Sequence, residues 1–358
     1  MSLAIVMADD GIEFDGRVKD EQPLGGAETA FAELAEALAR RGHRVAAYAR
    51  CAARLDWKGV QWIPLGEGLP DSADLYIASR AWTLLLGCPR ARHAAFWLHN
   101  PGSYLLKWRY QWRLARRRPI LVFLGPYHFT TYPRWGMGGE RVEITYGISE
   151  PFLHGSEREP PPPRATFQSN PLRSLDWLLE VWAARIAPRV PGAELHIFGG
   201  AQVYGSAGVA NAARVAPILE RARALAGQGV VLRGAFGKAE LARELTRSRC
   251  FLYRGDLGEL FCNAVVEPQA MGVPGVVEDI ACMSERVRDG TTGFVVRGQE
   301  AFARAAIRLL TDDALWRTMH RNCLTLQRSL TWDAAAAGFE RLALGAADST
   351  RESRRIRV

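Results

Sequence analysis

The sequence predicts an α/β protein built from two open parallel sheets, each covered by helices on both faces. Three observations carry that reading. The chain has 358 residues, and at roughly 150 residues per domain this length calls for two. In each half, short β-rich runs alternate with amphipathic helical stretches, the pattern of a parallel sheet buried on both sides. Between the halves lies EREPPPPR, residues 157–164, whose four consecutive prolines fit neither a helix interior nor a central strand.

Taken in order, residues 3–8 (LAIVMA) predict a buried strand and residues 27–41 (AETAFAELAEALARR) an amphipathic helix ended by Gly42, with a strand at 45–49. Residues 75–78, 94–98, 120–124 and 142–145 predict further strands of a first domain, 1–155. Residues 156–163 form an extended linker to a second domain, 164–330. There, strands are expected at 165–168, 194–198, 230–233, 250–253 and 275–278, and helices at 175–187, 211–226 and 239–247. Residues 299–344 are helical in pattern almost throughout. Two such halves place a ligand cleft between them, at the carboxyl ends of the strands.

Composition narrows the class. Apolar residues at 48% and charged residues at 23% are ordinary globular values and exclude a disordered or fibrous chain. The net charge is +8, but only four of 46 cations are lysines and the excess is spread along the chain, so no nucleic-acid partner is expected. Six scattered cysteines (Cys51, Cys88, Cys250, Cys262, Cys282, Cys323) without a C-x-x-C pair suit a reducing cytosol. The N-terminus lacks a charged n-region and a long apolar core, and no run approaches 18 apolar residues, so a cytoplasmic protein without a signal peptide or span is expected.

Two constellations carry chemistry. Gly25-Gly26-Ala27-Glu28 joins the first strand to the first helix, where glycines and a helix N-terminus suit an anion, although a plain βα turn explains them equally well. Glu259 and Glu267 are eight positions apart, about 800° along a single helix, which would bring them onto one face only loosely. With Glu259 in a loop and Glu267 in the helix that follows, both carboxylates reach one polyhydroxylated ligand; by spacing alone, two solvated acids remain the plainer reading. Pro268 implies a late helix start or a kink.

The segment 255–296 resembles the nucleotide-sugar signature of GT-B glycosyltransferases, particularly retaining family 4, through Glu259, Phe261, Glu267, Gly272, Pro274, Glu285, Val287, Asp289, Gly290 and Gly293. Similar family-like segments occur in order: Gly25 to Glu28, Arg41-Gly42-His43, Trp97-Leu98-His99-Asn100, Thr145-Tyr146-Gly147-Ile148, and ELHIFGG at 194–200. The resemblance implies a GT-B fold, two Rossmann-like domains whose open parallel sheets face each other across a cleft. It implies a sugar transferred from a nucleotide diphosphate of UDP or GDP type to a glycan, a lipid-linked sugar or a small molecule. No further cofactor and no metal are implied; there is no D-x-D triplet, the nearest being Glu13-Phe14-Asp15.

Residue by residue, the resemblance puts Glu259 near the sugar hydroxyls, Glu267 on the ribose and His99 at the reaction centre. Arg173 matches a phosphate-binding lysine in the loop opening the second domain, whereas Gln168 stands where the family usually has an arginine. Arg173 binds phosphate bidentately, with Arg254 or backbone N–H groups to compensate. Ser169, Asn170, Gly199, Gly200, Phe236, Phe261, Cys262 and Asn263 complete the donor-binding set, beside Gly25 and Gly26. Phe236 reads equally well as core. A non-catalytic nucleotide-sugar or glycan-binding module and a sugar-nucleotide epimerase are the alternatives on this fold. A phosphorylase would need a cofactor lysine, for which no candidate stands out.

Residues 103–118 (SYLLKWRYQWRLARRR) place Leu105, Trp108, Trp112 and Ala115 on one helical stripe beside six cations. This suits an ordinary sheet-covering helix or, on the functional reading, peripheral contact with an anionic membrane. Thr331-Trp332-Asp333 resembles the start of the terminal helix, 331–345, that crosses back to the first domain. The tail 346–358 carries four arginines and is expected to be disordered.

Overall fold

The structure, a computed structural model, describes residues 2–21, 24–199 and 205–345. Gly200 and the basic tail lie outside them. The described residues form two compact units. The first gathers those of Met1–Lys19, Gly26–Gly147 and Leu330–Val358, the second those of Asp20–Gly25 and Ile148–Ser329.

The first unit holds an eight-stranded sheet. Its strands are β1 (Ala4–Glu13), β2 (Arg44–Arg50), β3 (Leu55–Trp57), β4 (Val60–Pro64), β5 (Leu75–Ser79), β6 (His93–Trp97), β7 (Ile120–Phe123) and β8 (Arg141–Glu143). They lie in the order β3-β4-β2-β1-β5-β6-β7-β8, all parallel except β3 against β4. The β3–β4 hairpin is absent from the sequence reading. Its two-residue turn is Lys58-Gly59, both at positive φ (48° and 79°), and a lysine there hides the usual Asn-Gly signal. The helix Gly26–Arg40 buries Phe31, Leu34 and Leu38, and Phe31 and Trp62 close around Phe14 with ring centroids 5.8 Å from it.

The second unit holds a six-stranded, fully parallel sheet: β9 (Arg164–Phe167), β10 (Glu194–Ile197), β11 (Val230–Leu232), β12 (Cys250–Tyr253), β13 (Gly275–Glu278) and β14 (Gly293–Val296). Its order is β11-β10-β9-β12-β13-β14. The pairing of β13 with β14 brings backbones so close that a Cβ on Gly293 would lie 2.2 Å from the Gly275 carbonyl oxygen. The proline-rich stretch is strapped to this unit. Arg158 donates its backbone N–H to His320 Nε2 (3.1 Å) and its guanidinium to the Met271 carbonyl (2.8 Å).

The terminal helix Trp332–Ala343 is capped by the Thr331 hydroxyl, which accepts from the Ala334 N–H at 3.1 Å. It belongs to the first unit. Phe339 meets Trp97 edge-on at 5.3 Å, and Trp332 stacks on Tyr146 at 5.7 Å. A Cβ on Gly147 would lie 2.2 Å from the Trp332 nitrogen, so only glycine fits beneath the helix start.

The stripe expected over residues 103–118 is corrected. A 3-10 turn at Gly102–Leu106 and a helix at Trp108–Arg117 are separated by Lys107, whose backbone is extended (ψ 136°). The break shifts the register. Leu105 is buried, but the helix turns Tyr110 and Leu114 to the core and leaves Trp108 78% exposed.

Candidate functional site

In an open α/β sheet, ligands bind beyond the carboxyl ends of the strands where the strand order reverses. In the second sheet that point lies between β9 and β12, and the predicted catalytic pair converges there. After β9 the chain makes a tight turn. Asn170 accepts from the Leu172 N–H through its side chain (2.9 Å) and from the Arg173 N–H through its carbonyl (2.8 Å). Ser174 follows with φ 63°, and its hydroxyl donates to the Gly255 carbonyl (3.2 Å), tying this loop to the one after β12. Arg173 is thereby projected toward the second loop, where its Nη1 lies 2.6 Å from Glu259 Oε1 and 3.8 Å from Asp256 Oδ1. The same Glu259 oxygen accepts from the Tyr253 hydroxyl at 2.6 Å. Burial, reinforced by Cys262 and the adjacent carboxylate, holds that phenol well above its ordinary pKa, so it stays a donor.

Glu267 lies in the helix Asn263–Ala270 and is 7% exposed, its Oε1 accepting from Lys238 Nζ at 2.8 Å. Lys238 also donates to the Ser149 hydroxyl at 2.7 Å. Sequence reasoning missed Lys238, Ser149 and Tyr253; only the rarity of lysine in this chain pointed toward Lys238. Pro268 lies within the same helix and has no N–H for the carbonyl four residues back, that of Ala264. The Gln168 side chain supplies the missing donor, reaching the Ala264 oxygen at 2.7 Å. The residue at the family's arginine position therefore completes a helix.

The remaining predicted residues have mixed placements. Gly199 packs under Ser169, whose carbonyl oxygen would be 2.5 Å from a Cβ there. Phe236 is half-buried, edge-on to Phe198 at 5.3 Å, with the Arg233 guanidinium 5.6 Å from its ring centre. Arg254 is engaged by Glu278 (2.7 Å) and lies over Trp177. Phe261 and Cys262 are buried, Phe261 under the Arg286 guanidinium at 4.8 Å, and Cys262 precedes the helix at φ 62°. Asn263 is that helix's first residue and half-buried. Gly25 groups with the second unit, while Gly26 opens the first helix of the first unit.

In the first unit, His99 follows β6. Its ring sits 4.5 Å from Trp97, and its Nδ1 hydrogen-bonds the Tyr146 hydroxyl. Nε2 is shielded from solvent and has no hydrogen-bond partner among the described residues. Desolvation, then the nearby charges of Arg80 and His128, depress the imidazole pKa well below its ordinary value, so the ring is neutral. A second cluster was also missed. Arg80, just after β5, donates to Asp9 Oδ1 (2.8 Å) and Glu28 Oε1 (2.7 Å), and both acids are buried. Asp9 and Arg80 mark the order reversal of the first sheet, between β1 and β5. Beside them an open depression of about 420 Å³ is lined by Asp10, Arg80, Trp82, Asn100, Tyr104 and Arg109, among others.

Two separate parallel sheets in these strand orders, with acid and base gathered at a switch point, define a GT-B fold. The solved structures agree: sucrose-phosphate synthase from Thermosynechococcus elongatus is similar with a TM-score of 0.74 at 16% identity, over 96% of this chain and 100% of that one. HepE of Anabaena, in complex with UDP and glucose, gives 0.69 at 13% identity, over 98% and 100%. Within that fold, residues 165–312 match the family model of the glycosyl transferases group 1. Among curated proteins, a D-inositol 3-phosphate glycosyltransferase of Nocardia farcinica is 28% identical over 47% of this chain and 37% of its own length. One of Streptomyces griseus is 33% identical over 25% of this chain and 20% of its own. The chain thus spans about a third or less of the length of these curated relatives.

Proposed function

We propose that this protein is a retaining glycosyltransferase that moves a sugar from a nucleotide-diphosphate donor to an acceptor hydroxyl without a metal. The observation that carries this is the meeting of Arg173 and Glu259 at 2.6 Å, at the switch point of the second sheet. With donor bound, the diphosphate takes over the Arg173 guanidinium, and Glu259 turns its freed oxygen to the sugar hydroxyls. Glu267, oriented by Lys238, accepts from the ribose. As the bond from the anomeric carbon to the diphosphate breaks, Arg173 and the helix N-termini stabilise the departing charge. The acceptor oxygen bonds to that carbon on the same face, and its proton passes to the departing phosphate. Neutral His99 positions the sugar through Nε2, and no covalent enzyme intermediate forms.

The similar HepE of Anabaena was solved in complex with UDP, which supports a UDP-type donor, with GDP as the other candidate. The acceptor is a glycan, a lipid-linked sugar or a small polyol, the last in keeping with the curated relatives' name. The protein works in the cytoplasm. A thermal-shift panel of UDP, GDP, ADP and their sugars, followed by product analysis with the donor that binds, tests this reading. Transfer with a retained anomeric configuration, abolished in Arg173→Ala, is the expected result. Donor binding without hydrolysis or transfer would mark a non-catalytic module.

A further inference from the structure

Among the described residues six large apolar side chains stand exposed, and four of them share one corner of the first unit: Leu106 (39%), Trp108 (78%), Trp135 (73%) and Met137 (48%). Two flank the break at Lys107, before the helix Trp108–Arg117, and two come from the loop after Tyr132. Gln111 joins the two segments. Its amide donates to the Leu105 carbonyl (2.7 Å) and to the Tyr132 hydroxyl (2.9 Å), and its oxygen accepts from the Met137 N–H (3.4 Å).

The second loop is held rigidly. The Arg141 guanidinium donates to the carbonyls of Tyr132 (3.2 Å), Pro133 (2.7 Å), Arg134 (3.3 Å) and Gly136 (3.2 Å). Gly136 lies so close on the Tyr132 ring that a Cβ would come within 2.3 Å of it. This scaffold presents an indole and a thioether to water, leaving unburied the apolar surface whose burial would stabilise the protein. The charge around it is of one sign. Residues 101–139 contain seven cations (Lys107, Arg109, Arg113, Arg116, Arg117, Arg118, Arg134) and no acid, in a chain whose whole net charge is +8.

We infer that Leu106, Trp108, Trp135 and Met137 form a two-loop platform that inserts into the interface of an anionic lipid bilayer, with Lys107, Arg109 and Arg134 meeting the headgroups. Indoles favour the headgroup boundary, and a basic rim selects anionic lipid. No described helix is long and apolar enough to cross a membrane, so contact of this kind is superficial. The platform differs from the helical stripe that the sequence suggests, because half of it comes from the loop after Tyr132. It does not depend on the transfer chemistry.

The test is co-sedimentation of the full chain with phosphatidylcholine vesicles with and without phosphatidylglycerol, together with tryptophan quenching by brominated lipid. Binding only to anionic vesicles, with quenching, is expected. Trp108→Ser combined with Trp135→Ser should weaken binding about tenfold or more. Lys107→Gln and Arg134→Gln should each cost about fivefold, and the exposed Leu257→Ser should change nothing. Circular dichroism verifies that each variant folds. Equal binding to neutral vesicles, unchanged binding of the double tryptophan variant, or a wild-type dimer that binds no vesicle and falls apart in that variant would each overturn the inference.

Discussion

Arg173 and Glu259 share an ion pair of 2.6 Å, although they belong to loops after different strands. The Ser174–Gly255 hydrogen bond fixes the two loops to each other. On the proposed reading, the guanidinium that would meet a diphosphate is neutralised, without ligand, by the carboxylate that would meet the sugar. Donor binding would then exchange one anion for another, so that neither group need be buried alone at any stage.

Replacing Arg173 by alanine should lower kcat/KM for the donor by roughly 10²–10³-fold, the usual cost of losing one preorganised donor to developing charge. Arg173→Lys should recover only part, because a point charge cannot bind bidentately. Initial rates against donor concentration measure both.

Lys238→Met leaves the buried Glu267 carboxylate without its cation. Unfolding in denaturant should show a loss of about 2 kcal/mol, below the range for a fully buried pair because Lys238 is itself partly exposed. The donor KM should rise more than kcat falls, since on the proposed reading the lost contact orients a ribose-binding group.

Gln168 and Pro268 should behave as a coupled pair. Gln168→Leu in the wild-type background leaves the Ala264 carbonyl without a donor and should cost about 1–2 kcal/mol. With Pro268→Ala restoring the helical N–H, the same substitution should cost about 1 kcal/mol less. Denaturant midpoints of the four proteins of the cycle decide this; additivity would refute the pairing.

His128 should make the first unit acid-sensitive. The Leu124 N–H donates to its Nδ1 at 3.1 Å, so Nδ1 must be unprotonated, and Nε2 meets the Asn100 carbonyl at 3.0 Å. Burial lowers the folded pKa to about 4. As pH falls below roughly 6.5, the unfolded chain binds the proton first, so stability is lost from there down through about pH 4. The loss is on the order of 3 kcal/mol. Denaturant unfolding at pH 7 and pH 5 should show it, and His128→Gln should flatten the dependence.

The strands, and the placing of Glu259 in a loop with Glu267 in the helix that follows, were legible because each rests on a local run of residues, either an apolar stretch or a short motif. What escaped depends on distance in sequence. Lys238 finds Glu267 across 29 residues and Arg80 finds Asp9 across 71, and no spacing rule joins such partners. Gln168 read as a departure from the family because its role is set by Pro268, a hundred residues on. The stripe over 103–118 failed for a local reason: one extended residue, Lys107, resets the helical register, and periodicity counted across it assigns the wrong face.

The seating of Trp332 over Gly147 has a consequence for synthesis. The first unit needs the helix Trp332–Ala343 to cover Trp97 and Tyr146, yet that helix is translated only after the whole second unit. At elongation rates of about 5–20 residues per second the interval after Gly147 is roughly 10–40 s. During that time the eight-stranded sheet should wait with two aromatic side chains uncovered, while all strands of the sheet encoded after it emerge. The order of maturation should therefore reverse the order of translation, and a ribosome stalled near residue 330 should hold a finished second unit and an unsealed first.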